Sequence, residues 1–297
     1  MDNRSEVRDF LVSRRGKVTP EQVGLAASSG TRPRRVTGLR RSEVAQLAGV
    51  SVEYYTQMER GNVGGASESV LDAVGRALLL NEAERAHLFD LARAAANAGT
   101  GARRRPAAQR MRPVIQQILD SQFSPAWVGN GRCDIVGTNR LGRALNSPLF
   151  DAPARPANIA RFRFLSPQAA DYFRDWDDTA REIVAVLRTE AGKNPYDRAL
   201  SDLIGELSTR SEEFRTRWAA HDVRHHRTGI KRLHHPVVGD LDLAYEGLEL
   251  TADAGLTLVI FTAEQGSSSQ HALDLLASWA STPAERERDQ PQEQRPS

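Results

Sequence analysis

The sequence predicts an all-α N-terminal domain followed by an α+β domain built on a small antiparallel sheet of about five strands. Through the first 96 residues, apolar side chains recur at helical spacing in five separable stretches. Residues 96–113 then combine Gly, Ala and Pro with five arginines and no acid, the composition of a linker. Beyond it, strand-like runs flank a helical middle, the order expected of one sheet with helices inserted between its strands. A chain of 297 residues has room for two such domains.

The elements follow in order. Residues 5–15 carry Val7, Phe10 and Leu11 on one face, and residues 28–38 form an Arg-rich stretch poor in apolar side chains, read as an exposed loop. Residues 42–48 place Val44, Ala45 and Ala48 together before Gly49 breaks the pattern. Ser51 is an N-cap for a helix that ends at Gly61. Residues 67–80 repeat Val70, Leu71, Val74, Ala77 and Leu78, and Asn81 caps a fifth helix with Leu88, Phe89 and Leu91. After Pro113, a helix over 114–122 leads to a hairpin of residues 125–130 and 133–139 around Gly131 and Arg132. Helices are predicted at 138–144, 167–191, 196–207 and 212–221, strands at 229–239, 240–250 and 256–264, and a last helix at 271–280. The predicted domains are thus residues 1–96, a linker at 97–112, residues 113–282, and a polar tail from 283 whose composition is that of disorder.

Charge separates these parts. The total is only +2, but residues 1–112 carry 19 basic against 12 acidic side chains, a net of +7, and the remainder is −5. Such asymmetry points to a polyanion-binding domain joined to something else. All but three of the basic residues are Arg, which suits phosphate and base-edge contact and equally reflects codon usage. A lone cysteine, Cys133, excludes an internal disulfide and a Cys-built zinc site. No apolar run approaches the roughly 20 residues that span a bilayer, and the first ten residues lack a signal-peptide core, so a cytoplasmic protein without a membrane partner is expected.

Residues 40–61 hold the most informative pattern. A helix-turn-helix needs a short first helix, a small residue and a glycine at the turn, and a capped second helix with a polar outer face. Ala45, Gly49, Val50 and Ser51 meet those needs in order. Tyr55 and Met58 lie three apart and face inward, which turns Val52, Glu53, Thr56 and Gln57 outward as candidates to reach base edges in the major groove. The same pattern is compatible with a helical pair that binds protein. Arg32, Arg34 and Arg35 read either as an arm tracking the nucleic acid or as a solvated loop.

The stretch GLRRSEVAQLAGVSVEYYTQMERGN resembles the lambda-repressor-like helix-turn-helix of Xre-type regulators and, more narrowly, the MmyB-like regulators. The resemblance implies phosphate contacts from Arg40, Arg41 and Ser51, and a structural role for Glu59, which would pair with an arginine of the first helix such as Arg14. FSPAWVGNGRCDIVGTNRLGRAL and the segments from residue 212 onward are similar to the C-terminal part of the same family, which implies a PAS-like ligand-binding domain. The family usually carries an apolar or aromatic residue near Cys133 and a bulky one near Gly137, so the floor of a pocket would differ here. It also implies a small apolar, fatty-acid-like ligand. Sequence candidates for a lining are Trp127, Ile135, Phe162, Phe164, Tyr172 and Trp176, each of which also serves as ordinary core.

His221, His225, His226, His234 and His235 cluster, and the first two share a helix face as metal ligands do. Arg224, Arg227, Lys231 and Arg232 surround them, no HExxH is present, and structural roles are favoured over a metal; His234 or His235 beside a pocket could sense pH or ligand. No GxSxG or P-loop occurs, and Gly64 and Gly65 follow a helix rather than a strand. Asp177, Asp178 and Glu182 read as a solvated face. The chain is therefore expected to be no enzyme and to need no cofactor. It is expected to act as a homodimer on double-stranded DNA, with surfaces around Trp218 or along Leu273, Leu276 and Trp279 as dimer candidates. The rivals are a protein-binding adaptor with a helical docking module and a histidine-based metallohydrolase.

Overall fold

The computed structural model describes residues 3–25, 38–97, 111–151, 156–220 and 228–280. Five helices open the chain: α1 (Asn3–Lys17), α2 (Arg41–Ala48), α3 (Val52–Glu59), α4 (Glu68–Ala77) and α5 (Glu82–Asn97). Then come α6 (Pro113–Asp120), β1 (Ala126–Asn130), β2 (Ile135–Thr138), α7 (Arg140–Leu145), α8 (Ser147–Phe150), α9 (Ile159–Leu165), α10 (Ala169–Tyr172) and α11 (Trp176–Lys193). The chain continues through α12 (Arg198–Arg210), α13 (Glu212–Ala219), β3 (Thr228–His235), β4 (Gly239–Glu249), β5 (Leu256–Thr262) and α14 (Ser268–Ala280). It divides into two compact units, Met1–Ala107 with Arg181–His225, and Ala108–Ala180 with His226–Ser297. The division falls within α11.

In the first unit, Val7, Phe10 and Leu11 of α1 are fully buried against Val44, Tyr55, Met58, Val74, Leu88 and Leu91 of the next four helices. Caps set the helix boundaries. Ser51 and Ser67 accept from the backbone of Tyr54 and Val70, and the Asn81 side chain accepts from the Glu84 N–H while the Glu84 carboxylate accepts from that of Asn81. Within this unit α11 also packs on the N-terminal helices. Arg188, with no exposed side-chain surface, donates to Glu6 of α1 and to the carbonyl of Trp218, and its guanidinium lies 4.1 Å from the Trp218 ring centroid. Burial pushes the Glu6 carboxyl above its ordinary value despite Arg188 beside it.

The second unit contains an antiparallel five-stranded sheet in the order β2-β1-β5-β4-β3. One face is covered by α14 and α7, burying Leu145, Leu241, Leu243, Phe261, Leu273 and Leu276 in one cluster. Asn139 caps α7 at Gly142 (2.7 Å) while taking the N–H of Ala126 and donating to Ser124, which fastens the helix to the start of β1. A side chain at Gly137 would meet the end of Met111 and the amide of Gln116, so those residues occupy the space a larger residue would take. Cys133 is buried in the β1–β2 turn at a φ of 62°.

Three elements differ from the sequence reading, one of them the single-turn α8, which lies in a stretch read without a helix. Ile159–Leu165 is helical, started by Asn158 capping Arg161 (2.9 Å), although IARFRFL lacks a clear helical stripe. The helix expected over 167–191 is broken: Phe173 bridges to Leu233, and Arg174 N–H donates to the Arg232 carbonyl at 3.0 Å. There a pairing with β3 outweighs local helix propensity. Among the described residues no helix is long and apolar enough to cross a membrane.

Candidate functional site

Residues 40–61 form two helices joined by a tight turn. Glu43 accepts the Arg40 N–H at 2.6 Å to start α2, and Gly49 ends it in the left-handed region at φ 66°, where glycine carries no Cβ penalty. Ser51 then caps α3, its hydroxyl accepting from Tyr54 N–H at 3.0 Å. Ala45, Ala48, Tyr55 and Met58 lock the two helices onto the core, so the opposite arc of α3 is turned to solvent. Of the predicted base-facing residues, Val52, Glu53 and Gln57 are exposed and Thr56 is half-buried; Ser51, Arg40 and Arg41 are exposed beside them.

One carboxylate organises this surface. Glu59, 2% exposed, accepts from Arg15 Nε and from Arg41 Nε, each at 2.5 Å, and Arg15 also donates to the Leu39 carbonyl at 2.8 Å. The expected Arg14 partner is corrected: Arg14 pairs instead with Glu84 of α5 at 2.5 Å. Neighbouring residues on α1 point about 100° apart, so Arg14 turns to α5 and Arg15 to α3. Glu59 thereby fixes the base of the Arg41 guanidinium, whose side chain is half-exposed and retains further N–H donors.

Sequence reasoning passed over three residues of this surface. Tyr54, 39% exposed, flanks the same arc on the side opposite Val52. With Tyr55 and Met58 inward, position 54 already lies off the buried stripe, which was the available signal. Arg60 is exposed at the end of α3, and Asn62 past Gly61 donates its side-chain amide to Gln57 Oε1 at 2.9 Å. Arg32, Arg34 and Arg35 lie outside the described residues.

In the second unit, the candidates for a lining sort into two groups. Ile135, Phe162 and Tyr172 are buried in the sheet-and-helix core, with Trp127 packed against it; Phe162 meets Tyr172 edge-on at 5.8 Å, and the Tyr172 hydroxyl donates to the Leu145 carbonyl at 2.9 Å. Trp176 instead borders an open cleft of about 660 Å³, together with Phe173, Pro236, Asp171, Arg174, His234 and Asp240. Phe164 stands edge-on to Trp176 at 6.2 Å, and the buried Arg163 guanidinium lies 4.0 Å from the Trp176 ring centroid and 4.7 Å from that of Phe173. The cleft rim is charged: His234 Nδ1 and Asp240 lie 2.6 Å apart, and Arg174 reaches Asp240 and Asp242 at 3.4 and 3.1 Å. The His234 hydrogen bond, helped by Arg174, holds the Asp240 carboxyl below its ordinary value. The signal that the sequence offered for this pair was the hairpin HHPVVGD, whose register places His234 opposite Asp240.

His235 faces the other way and is fully buried. The Val237 N–H donates to its Nδ1 at 3.2 Å, so Nε2 carries the proton toward the Ala144 carbonyl at 3.0 Å. Burial holds its pKa below the ordinary value. Among the described residues no group of three or more His, Cys, Asp or Glu side chains is placed to hold a metal; His221, His225 and His226 lie outside them.

A helix-turn-helix with an exposed, arginine-flanked second helix, joined in one chain to a sheet domain with an open cleft, defines a DNA-binding transcription regulator with a ligand-sensing domain. Residues 13–88 match a helix-turn-helix domain. Residues 111–276, more than half the chain, match the MmyB-like transcription regulator ligand binding domain, and the chain belongs to that family of MmyB-like regulators. A search of curated proteins finds no match.

Proposed function

We propose that the protein binds specific duplex DNA as a homodimer, with α3 of each copy in a major groove, and that a small apolar, fatty-acid-like ligand held by a PAS-like sensor alters that binding. Val52, Glu53, Thr56 and Gln57 face the bases; Arg40, Arg41 and Ser51 hold phosphates. The observation that carries this reading is the Glu59 arrangement, in which a buried carboxylate spends its charge orienting Arg41 of α2 beside the exposed arc of α3. Homodimerisation supplies what one short helix lacks, since two copies read half-sites about one helical turn apart. In the sensor, the ligand's apolar part rests on Phe173 and Trp176 and its polar end faces Arg174 and His234. Ligand that favours one arrangement of the sensor then shifts the placement of the two reading helices.

The test compares variants on a panel of related duplexes. Glu53→Ala and Gln57→Ala should flatten preference among sequences, whereas Arg41→Ala should weaken binding to all of them alike. Equal losses on every duplex from all three changes would remove the base-reading assignment. Exposed Leu47, Val52 and Tyr54 favour a second reading, a protein-docking surface, which predicts a bound protein and no salt-dependent duplex binding.

A further inference from the structure

Asn62 stands three residues beyond the end of α3, yet the chain brings it back onto that helix. Gly61 makes the return, at a φ of 91°, and a Cβ there would lie 2.7 Å from the Arg4 backbone. Asn62 is then tied to Gln57 twice: its backbone N–H donates to the Gln57 carbonyl at 3.1 Å, and its side-chain Nδ2 donates to Gln57 Oε1 at 2.9 Å. Both side chains are exposed, so the pair lies on the surface rather than in the core.

A glutamine amide has one accepting and one donating end, and adenine is read by using both at once, against N6 and N7. Asn62 engages the accepting end of Gln57, taking one of the two lone pairs of Oε1 and holding that oxygen on its own side. What remains directed away from Asn62 is the Nε2 group, a donor. In the major groove guanine offers two acceptors, O6 and N7, and thymine one, O4; adenine sets its N7 acceptor beside an N6 donor that needs the engaged Oε1, and cytosine offers only the N4 donor.

We propose that Asn62 is a positioning residue that sets the hydrogen-bond polarity of Gln57, so that Gln57 reads base-edge acceptors and prefers guanine or thymine. This rests on the base-facing role of Gln57 proposed above. Asn62→Asp removes the donor and leaves only acceptors, which turns the Gln57 amide over: Nε2 then faces the introduced carboxylate and Oε1 faces the groove. The preference should move to bases that present a donor, adenine or cytosine.

The experiment selects duplexes from a randomised pool with the full-length wild-type protein and with Gln57→Ala, Asn62→Ala and Asn62→Asp. Thermal unfolding of each variant checks that the surface changes leave the fold intact. Gln57→Ala identifies the position that Gln57 reads, as the one whose preference disappears. At that position the wild type should favour guanine or thymine by about tenfold, the discrimination of one good hydrogen-bonded contact. Asn62→Ala should bring the ratio close to one, and Asn62→Asp should invert it there and nowhere else. A position that keeps its guanine or thymine preference in Asn62→Asp overturns the inference alone. Duplex binding in which Gln57→Ala alters no position, or no salt-dependent duplex binding at all, overturns the base-reading assignment and the inference with it.

Discussion

Replacing Glu59 with alanine removes a carboxylate that is 2% exposed and holds two arginines at 2.5 Å, and the two limbs of that arrangement should fail unequally. The Arg15 side chain is 15% exposed, so losing its partner strands a nearly buried charge, which costs about 3–5 kcal/mol when such a pair is broken. Its remaining bond to the Leu39 carbonyl puts the expected value at the low end, about 3 kcal/mol. The Arg41 side chain is 51% exposed and solvent-screened, so its limb contributes about 0–1 kcal/mol to stability. Native-state hydrogen exchange at the amides of α2 and α3 reads this directly. Glu59→Ala should speed exchange there by roughly 100-fold or more, Arg15→Met by a similar factor, and Arg41→Ala by less than about fivefold. Arg41→Ala should nevertheless weaken DNA binding if Arg41 holds a phosphate as proposed. Equal acceleration from Arg15→Met and Arg41→Ala would refute this division of labour, as would a Glu59→Ala protein that exchanges like the wild type.

Other outcomes follow from the same reasoning. Arg188→Ala should destabilise the first unit by about 3–5 kcal/mol by removing the guanidinium beside the buried Glu6 carboxyl, and Glu6→Gln combined with Arg188→Met should recover part of the loss in chemical denaturation. Gly61→Ala should lower the thermal midpoint more than Gly65→Ala, because only the former meets the Arg4 backbone and needs positive φ. His235 has a folded pKa below its ordinary 6.5, so in the window beneath 6.5 the unfolded chain binds a proton that the folded one does not. Stability should therefore fall as pH drops below about 6.5 and level off below the folded value, and His235→Gln should flatten that dependence in unfolding midpoints measured across pH. Trp176→Ala should reduce retention of a fatty-acid probe in native mass spectrometry of the full-length protein, while Trp127→Ala should act chiefly through stability.

Much of this fold was legible because local and tertiary signals agree. The Ser51 cap, the Gly49 break and the inward Tyr55 and Met58 pair all point to the same two helices, and alternation in DLDLAYEG marks β4 with Leu241, Leu243 and Tyr245 buried. What escaped depended on helix phase or on distant partners. Which of Arg14 and Arg15 meets Glu59 follows from the rotation of α1, set by packing that spacing alone does not specify. In α14, Leu273 and Leu276 are buried while Leu275 and Trp279 are exposed, so only part of the dimer surface read from that helix is available to a partner. Phe162 and Phe164 are near neighbours in sequence, yet one enters the core and the other meets Trp176, because α9 turns them to different sides. The cleft itself is assembled by the bridge of Phe173 to Leu233 across sixty residues of chain, which no local pattern encodes.

The central claim, that α3 with Arg40 and Arg41 at the start of α2 forms a DNA-reading surface, meets its most direct test in the salt dependence of duplex binding by the full-length protein. With Arg40 and Arg41 of two copies neutralising phosphates, the logarithm of the binding constant should fall with the logarithm of salt concentration at a slope of about −3 to −4, and Arg41→Ala should flatten it by about one per copy. A slope near zero, or one unchanged by Arg41→Ala, would contradict the account.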